Sequence, residues 1–295
     1  MKIETGFYRI SLRDYHNDPT AREWYSKSSL STLLSGSPRQ FKYEQDNPEI
    51  LDIFDLKAEK YNRGTAIHTY LLEPELFEKD IIVIPEFFGT GSRKEKAEWQ
   101  DRIRAEGKTP IKPEVMDICK GLEDSLNSGW YGTAAGKIQD PHAIVEQSGF
   151  WIDEKTGLKC KTRPDIINLQ MELWDLKSHA PKGKPFAAGI CDKDYDLQAY
   201  MGLEGMSRIT GKVHQDFGFI ALHTKPPYDI EVVHCDADMI RSAEEKFERS
   251  TRVLKECLDR NIWPGLPDEV MEVGPPGWRM KQLYGKTKEE TIYDW

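Results

Sequence analysis

The chain has 295 residues, which is enough for one large hydrophobic core, or for one core with a small appended lobe. Charged residues make up 31% of it and the formal net charge is −9, which argues against a protein that coats nucleic acid with a uniformly basic surface. The same composition leaves room for an enzyme with a local basic channel and a carboxylate-rich site.

Hydropathy and cysteine usage predict a cytoplasmic protein. No apolar run in the sequence is long enough to cross a bilayer, and the first residues lack the apolar core of a secretory signal. We therefore expect no membrane partner. The five cysteines are spread widely and include no CxxC pair, which gives zinc-ribbon and iron–sulfur sites little support and favours reduced thiols.

The N-terminal third of the sequence reads as helices. Residues 28–38 predict a short capped helix that ends before Pro38, and a second helix is predicted at 56–72, before Pro74. The polar, lysine-rich stretch at 87–114 is interpreted as an exposed excursion that contributes little to the core.

From His142 onward the pattern changes to strands. The predicted elements are strands at 143–152, 157–169 and 171–178, a helix at 192–209, strands at 216–224 and 228–236, and a helix at 237–261. This order predicts an α/β (α+β) fold in which helices flank a mixed central sheet.

We expect one domain followed by an extension. The domain covers residues 1–265, with N-terminal helices at 26–75, the excursion at 87–114 and a strand-rich core at 142–262. Residues 266–295, which begin with several prolines and glycines, form the C-terminal extension.

Two neighbouring strands carry charged side chains that can converge. Alternation along a strand places Asp175 and Lys177 on one face. By the same rule Asp165 shares a face of the preceding strand with Lys161 and Arg163. If the strands form a hairpin, Asp165 and Asp175 meet near its open end, and two convergent carboxylates suit a hard divalent cation.

Such a site can hydrolyse a phosphodiester. The cation polarises the phosphate, lowers the pKa of a bound water and stabilises the leaving oxygen. The ammonium of Lys177 can hold the attacking water or offset charge that develops on the phosphorane. A triplet of this kind also arises by chance, so Asp175 and Lys177 could instead form an ion pair on an edge strand.

Further segments fall in the order of one known active-site plan. They are RGTAIHTYLLEP with His68, VEQSGFW with Glu146, KCKTRPDII with Asp165, WDLKS with Asp175 and Lys177, YDLQAY with Gln198, and the N-terminal SKSSLSTLLSGSPRQFKYE. Over residues 26–200 the chain therefore resembles the RecB/RecE group of PD-(D/E)xK nucleases, and within that group the RecE-like (exodeoxyribonuclease VIII) branch.

The resemblance implies a restriction-endonuclease-like core that uses Mg²⁺, for which Mn²⁺ can substitute. The implied metal ligands are His68, Asp165, Asp175 and the carbonyl oxygen of Leu176. Glu146 completes the metal shell through a water or orients Lys177, which positions the attacking water, and Gln198 orients substrate or water. In isolation, His68 could equally be a hydrogen-bonded core histidine, and Glu146 and Gln198 could be solvent-facing residues.

Three residues near the two aspartates are candidates for holding the DNA backbone: Lys161, Arg163 and Ser178. The plainer interpretation is that Lys161 lies on the wet face of a strand and that Arg163 only pairs with Asp165.

The sequence departs from the family pattern at two positions. Gly202 stands four residues after Gln198, where the family carries a tyrosine, and Tyr200 lies about 160° further round a helix. Ser37 occupies the position of a cysteine that binds an iron–sulfur cluster in some relatives.

The RecE-like resemblance also implies partners. They are linear double-stranded DNA, resected from 5′ to 3′, a RecT-type single-strand annealing protein, and further copies of the chain in a homo-oligomeric ring. Such proteins serve phage or prophage recombination in the bacterial cytoplasm. The alternatives are an endonuclease with the same core, a DNA-binding recombination protein without catalysis, and a metal-binding protein unrelated to nucleic acid.

Overall fold

The computed structural model describes residues 2–47, 58–180, 185–270 and 272–284. Contacts divide the chain into two units, residues 1–264 and residues 265–295. The start of the helix predicted at 56–72 and the last part of the extension expected at 266–295 lie outside the described residues. Within the described ranges, no helix combines the length and apolar character needed to cross a membrane.

The described strands are β1 (Gly6–Tyr8), β2 (Ile81–Val83), β3 (Thr109–Ile111), β4 (Ile144–Val145), β5 (Ser148–Ile152), β6 (Lys159–Thr162), β7 (Ile166–Ile167), β8 (Leu173–His179), β9 (Phe217–His223) and β10 (Ile230–His234). The described α-helices are α1 (Leu12–Asn17), α2 (Lys27–Ser35), α3 (Pro38–Asp46), α4 (Ala58–Leu72), α5 (Pro74–Asp80), α6 (Phe87–Thr90), α7 (Arg93–Glu106), α8 (Pro113–Asn127), α9 (Gly132–Ile138), α10 (Tyr195–Thr210), α11 (Ala237–Arg260) and α12 (Gly277–Tyr284). Short 3₁₀ turns lie at Ala21–Glu23, Phe186–Gly189 and Cys191–Lys193.

Serine and proline residues set the boundaries of the first long helices. Ser26 caps the start of α2, which ends at Ser35, so the predicted helix end before Pro38 is confirmed. Ser37 then caps α3, and Pro38 takes the first helical position, where a missing N–H costs nothing. Ser37 and Pro38, which follow the Gly36 cap of α2, therefore start a second helix that was not predicted from the sequence.

A five-stranded mixed sheet forms the centre of the first unit. Its strand order is β10-β9-β8-β7-β4, with β8 and β9 parallel and the other neighbours antiparallel. β1, β5 and β6 form an antiparallel three-stranded sheet, and β2 pairs with β3 in parallel. The predicted α/β fold with a mixed central sheet is confirmed.

Helices cover both faces of the five-stranded sheet because side chains alternate along its strands. Phe217 and Phe219 of β9 lie in a buried cluster with Met206 of α10. Ile220 lies on the opposite face, in a cluster with Ile67 of α4 and with residues of α8. Each such side chain contributes about 1.5–3 kcal/mol when it is fully buried, so the two clusters fix the sheet between the helices.

The hairpin that precedes β8 bends between the two sheets. β4 pairs with β7 in the five-stranded sheet, whereas β5 pairs with β6 in the three-stranded sheet. The continuous strands predicted at 143–152 and 157–169 are therefore wrong, since each is interrupted at the bend. Glu146 lies in the bend with a left-handed φ of 54°, and its N–H donates to the carbonyl of Asp165 at 3.0 Å. The bend thus brings Glu146 next to Asp165.

The stretch at 87–114 contributes more to the core than the sequence analysis predicts. Most of the charged residues of α7 are exposed, but Trp99 and Ile103 on the opposite face of that helix are buried. Ile111 on β3 is also buried and joins the cluster under the five-stranded sheet. The exposed-excursion interpretation is therefore wrong for these residues, because a few apolar side chains are enough to anchor a helix that is charged elsewhere.

We expect Gly202→Ala to lower the free energy of unfolding by about 1–3 kcal/mol. A Cβ at this position of α10 would lie 2.8 Å from Cε2 of the buried Phe217. Gly136→Ala in α9 is the matched control, because no described heavy atom lies within 4 Å of a Cβ there and alanine should stabilise the helix by about 0.5–1 kcal/mol. Denaturant unfolding measures both changes, and equal stabilities would contradict the close packing of α10 on β9.

Candidate active site

Strand β8 carries the two residues at the centre of the candidate site. Asp175 and Lys177 point to the same face, and Leu176 between them is buried in the cluster on the opposite face, as the alternation predicts. Asp175 is 2% exposed. Its Oδ2 pairs with the ammonium of Lys177, and its Oδ1 accepts a hydrogen bond from the amide of Gln198 on α10. Each oxygen of this buried carboxylate therefore has a partner, and the two partners fix the orientation of the side chain.

Asp165 reaches the same place from the bend of the hairpin. It directly precedes β7, and its Oδ2 accepts a hydrogen bond from the backbone N–H of Leu176 at 2.6 Å. This bond joins the bend to β8, next to Asp175. This contact agrees with the prediction that Asp165 and Asp175 converge, because Leu176 is the residue next to Asp175. For Leu176 the described contact is made by the amide, so a role for its carbonyl stays a prediction.

Helix α4 supplies an imidazole to the same group. Nδ1 of His68 lies 3.5 Å from Oδ2 of Asp165 and 3.7 Å from Oε1 of Glu146. One candidate ligand atom from each of these three residues lies within 4.8 Å of the other two. An imidazole and two carboxylates at this spacing are a ligand set for a divalent cation.

The pKa values of the site reflect buried charge. Burial and the nearby charge of Asp165 raise the pKa of Asp175 to about 6, against the opposing effect of Lys177. Burial also opposes ionisation of Asp165, but His68 and Lys177 hold its pKa below the usual value. Burial opposes protonation of His68, yet Asp165 and Glu146 raise its pKa well above the usual value. Carboxylates that need this much cationic compensation fit a bound divalent metal.

The acidic centre lies in a groove with a basic lining. The groove has a volume of about 930 Å³ and includes all of the residues above together with Ser178. Its lining also contains basic side chains that the sequence analysis did not single out, namely Arg9, Arg13, Lys27, Lys60, Arg63 and Lys79. They come from four separate segments of the sequence, so only the fold brings them together. A local basic channel thus coexists with a net charge of −9.

Two of the three residues predicted to hold DNA have internal partners instead. Lys161 is 4% exposed, and its ammonium donates to the carbonyls of Tyr15 and Ala21 at 2.6 and 2.8 Å. Burial lowers the pKa of this ammonium to about 8. The prediction that Lys161 binds substrate is therefore corrected, because this side chain fastens the N-terminal segment to β6.

The guanidinium of Arg163 is also hydrogen-bonded within the protein. Its Nε donates to Oε2 of Glu146 at 2.7 Å, and its Nη1 donates to Oγ of Ser148 and to the carbonyl of Ile10. Only 10% of the side chain is exposed. Arg163 therefore orients Glu146, whereas the prediction was a DNA contact or a pair with Asp165 alone. Ser178 is exposed on β8 and its role stays a prediction.

The tyrosine near the site is one that the sequence analysis missed. Gly202 packs against Phe217 too closely for a side chain to fit without a shift, and the ring of Tyr200 packs at a tilt against Phe247, with 5.3 Å between ring centroids. Tyr195 instead lies beneath the ammonium of Lys177, 4.8 Å from the centroid of its ring. It precedes Gln198 by three residues, which is the spacing that puts two helical side chains on one face.

The site and the fold together define the class of the protein. A mixed sheet between helices carries Asp165 at a bent strand and Asp175-Leu176-Lys177 on the next one, which is the arrangement of a PD-(D/E)xK-like domain. The chain belongs to the family described as PDDEXK-like domain of unknown function (DUF3799), whose model matches residues 52–271.

Solved structures agree with this fold. The chain is similar to a protein from Eubacterium rectale that is provisionally described as an exonuclease, with a TM-score of 0.59, 14% identity, and coverage of 94% of this chain and 98% of that one. An alkaline exonuclease from Laribacter hongkongensis has 16% identity and aligns over 68% of this chain and 97% of its own, but its TM-score of 0.26 is too low to show a shared fold. No curated protein matches the chain in sequence. The first of these likenesses shows the fold.

We expect Lys161→Met to lower the free energy of unfolding by about 2–4 kcal/mol, because it removes the buried ammonium that donates to the carbonyls of Tyr15 and Ala21, and the carbonyl of Ala21 keeps only the N–H of Trp24. Lys159→Met on the same strand is the control. Lys159 pairs with Glu23 at 2.6 Å on the surface, and the loss should stay below about 1 kcal/mol. Denaturant unfolding gives both values. A Lys161→Met protein that kept full stability and lost DNA affinity would restore the substrate-binding interpretation.

Proposed function

We propose that the protein is a metal-dependent DNA exonuclease that hydrolyses phosphodiester bonds of linear double-stranded DNA. The observation that carries the proposal is the convergence of Asp165, Asp175 and Lys177 at one place in a basic groove. The buried carboxylates can bind a divalent cation, and the adjacent ammonium can contact the phosphate that is hydrolysed. The basic residues that line the groove can bind the phosphate backbone of a DNA duplex.

The residues present fit a divalent cation, for which we propose Mg²⁺ with Mn²⁺ as a substitute. His68, Glu146 and Asp165 would hold it from the bend and α4, and Asp175 would hold it from β8. When bound, the cation supplies Lewis acidity toward the scissile phosphate and makes its water ligand more acidic. Arg163 keeps Glu146 in place through its hydrogen bond to Oε2.

Lys177 and Gln198 act on the reacting groups. Despite its burial, Lys177 is kept protonated by Asp175 and Asp165, which raise its pKa. Its ammonium can therefore donate a hydrogen bond to the attacking water or offset negative charge on the phosphorane. The amide of Gln198 donates to Oδ1 of Asp175 and so fixes the carboxylate with its Oδ2 facing the ammonium of Lys177.

Exonuclease action is supported by likeness more than by the chemistry of the site. The Eubacterium rectale protein is provisionally described as an exonuclease and aligns over 94% of this chain. The RecE-like motifs support 5′ to 3′ resection for recombination, a homo-oligomeric ring, a RecT-type annealing partner and a place in the bacterial cytoplasm.

The decisive test uses a linear duplex with one labelled 5′ end and a covalently closed circle of the same sequence. We expect release of the label from the linear DNA only, with Mg²⁺ and not with EDTA. Asp175→Asn should lower the rate by at least about 10³-fold. Asp216→Asn is the matched control, because Asp216 is a largely exposed aspartate at the start of β9 and should keep full activity.

Each other outcome selects a different function. Cutting of the circle would identify an endonuclease with the same core. DNA binding without cleavage of either substrate, in the presence of Mg²⁺ and Mn²⁺, would identify a recombination protein that binds DNA. Absence of salt-dependent DNA binding would overturn a nucleic-acid function altogether.

We also expect metal affinity to rise with pH. A cation is bound by the neutral imidazole of His68, whereas Asp165 and Glu146 raise its pKa and so favour the protonated form. Protons therefore compete with the metal more strongly as the pH falls, by up to about tenfold in Kd per pH unit below that pKa. Titration calorimetry with Mn²⁺ at about pH 6.5 and about pH 8.5 measures this change. In His68→Asn the pH dependence should become shallower, and an unchanged profile would remove His68 from the ligand set.

A further inference from the structure

A second group of metal-ligating side chains lies further along β8. His179 is two residues beyond Lys177 on the same face of the sheet, and it pairs in register with His223 on β9. Glu231 on β10 pairs with Ala221, two residues before His223. Because positions two apart share a face, the side chains of His179, His223 and Glu231 meet above three adjacent strands.

The three side chains are close enough to share one ion. One candidate ligand atom from each lies within 4.8 Å of the other two, and Nε2 of His223 is 2.7 Å from Oε1 of Glu231. The rings of His179 and His223 are 5.2 Å apart at their centroids. The side chains of His223 and Glu231 are 13% and 30% exposed, so the group is partly shielded and still open to an ion from solvent.

Neighbouring groups orient the cluster as they orient ligands in metal sites. The second carboxylate oxygen of Glu231 accepts a hydrogen bond from the backbone N–H of Phe186 at 3.2 Å. The buried ring of Phe186 packs edge-on against His179, with 5.7 Å between centroids. Support of this kind around a ligating carboxylate and imidazole fixes the direction of their lone pairs.

We propose that His179, His223 and Glu231 bind a zinc ion at a site separate from the candidate active site. Two imidazoles and one carboxylate are a ligand set of Zn²⁺, whereas Mg²⁺ favours sites in which carboxylate, carbonyl and water oxygens make up most of the ligands. Ligand atoms of a tetrahedral zinc lie about 3.3 Å apart. The contact between His223 and Glu231 has to open by about 0.6 Å to reach this spacing, which a small side-chain rotation provides.

The site is too far along the strand to be the second ion of a paired catalytic centre. On β8 the proposed active-site ligand Asp175 lies four residues before His179, which is about 13 Å along the strand. Paired catalytic ions lie about 3.5–4 Å apart. Its position points to a structural effect, because β10 is the edge strand of the five-stranded sheet and β8 carries Asp175 and Lys177. A zinc ion here ties the edge strand to the catalytic strand.

The test measures Zn²⁺ binding to the metal-stripped full chain by calorimetry and by thermal unfolding. We expect one Zn²⁺ per chain that is not displaced by excess Mg²⁺, and a rise in Tm of about 5 °C at saturation. Glu231→Gln and His223→Gln should each weaken this binding by more than about tenfold. Two control variants should leave Zn²⁺ binding unchanged. They are His234→Gln, at an approximately half-exposed position of β10, and Asp165→Asn in the candidate active site.

Two results would overturn the proposal. One is the absence of stoichiometric Zn²⁺ binding to the unsubstituted chain, and the other is binding that survives Glu231→Gln but is lost in Asp165→Asn, which would put the ion at His68. If His223→Gln unfolds, Glu231→Gln keeps the test decisive, because the amide has the shape of the carboxylate. Titration with Co²⁺ gives an independent readout, since a four-coordinate site produces strong visible absorption that both substitutions should abolish.

Discussion

Two buried carboxylates are the constraint on which the rest of the structure depends. Asp165 and Asp175 are 6% and 2% exposed, and removing such charges from water costs on the order of several kcal/mol for each ion unless other groups compensate. Lys177, the N–H of Leu176 and the amide of Gln198 supply part of this compensation. The raised pKa of Asp175 shows that it is incomplete. A protonated His68 makes up part of the deficit, and a divalent cation would replace that proton by a larger charge at the same position. Binding of the cation therefore releases the proton from His68.

The bend of the hairpin makes this arrangement possible. A straight hairpin would carry Asp165 along one sheet, whereas the transfer of both strands to a second sheet leaves Glu146 and Asp165 at the corner. The left-handed backbone of Glu146 costs about 1–3 kcal/mol, and Arg163 stabilises the corner through Glu146, Ser148 and the carbonyl of Ile10. Arginine therefore contributes to the site by holding the strained segment in place, next to the acids and away from solvent.

What the sequence predicts depends on the range of the interaction. The shared face of Asp175 and Lys177, with Leu176 in the core, is a local property of any strand, and it was predictable. The role of Lys161 was not, because its acceptors lie about 140 residues earlier in the chain and look like ordinary backbone. The bend was missed for the same reason, since alternation describes a strand but not the sheet that it joins. Tyr195 carries a local signal, its spacing from Gln198, but the family pattern directs attention to position 202, where packing against β9 leaves room only for glycine.

The distribution of charge explains how an acidic chain can offer a surface to DNA. Net charge describes the whole sequence, whereas the field in a cleft depends on the charges that line it. Arg9 and Arg13 of the N-terminal segment line the groove together with Lys60 and Arg63 of α4, around the buried acids. Lys161 fastens that N-terminal segment to β6 through the carbonyls of residues 15 and 21. Lys161, whose ammonium is bonded inside the protein, therefore helps to hold Arg9 and Arg13 at the groove, where their positive charge can attract a phosphate backbone although the chain as a whole is acidic.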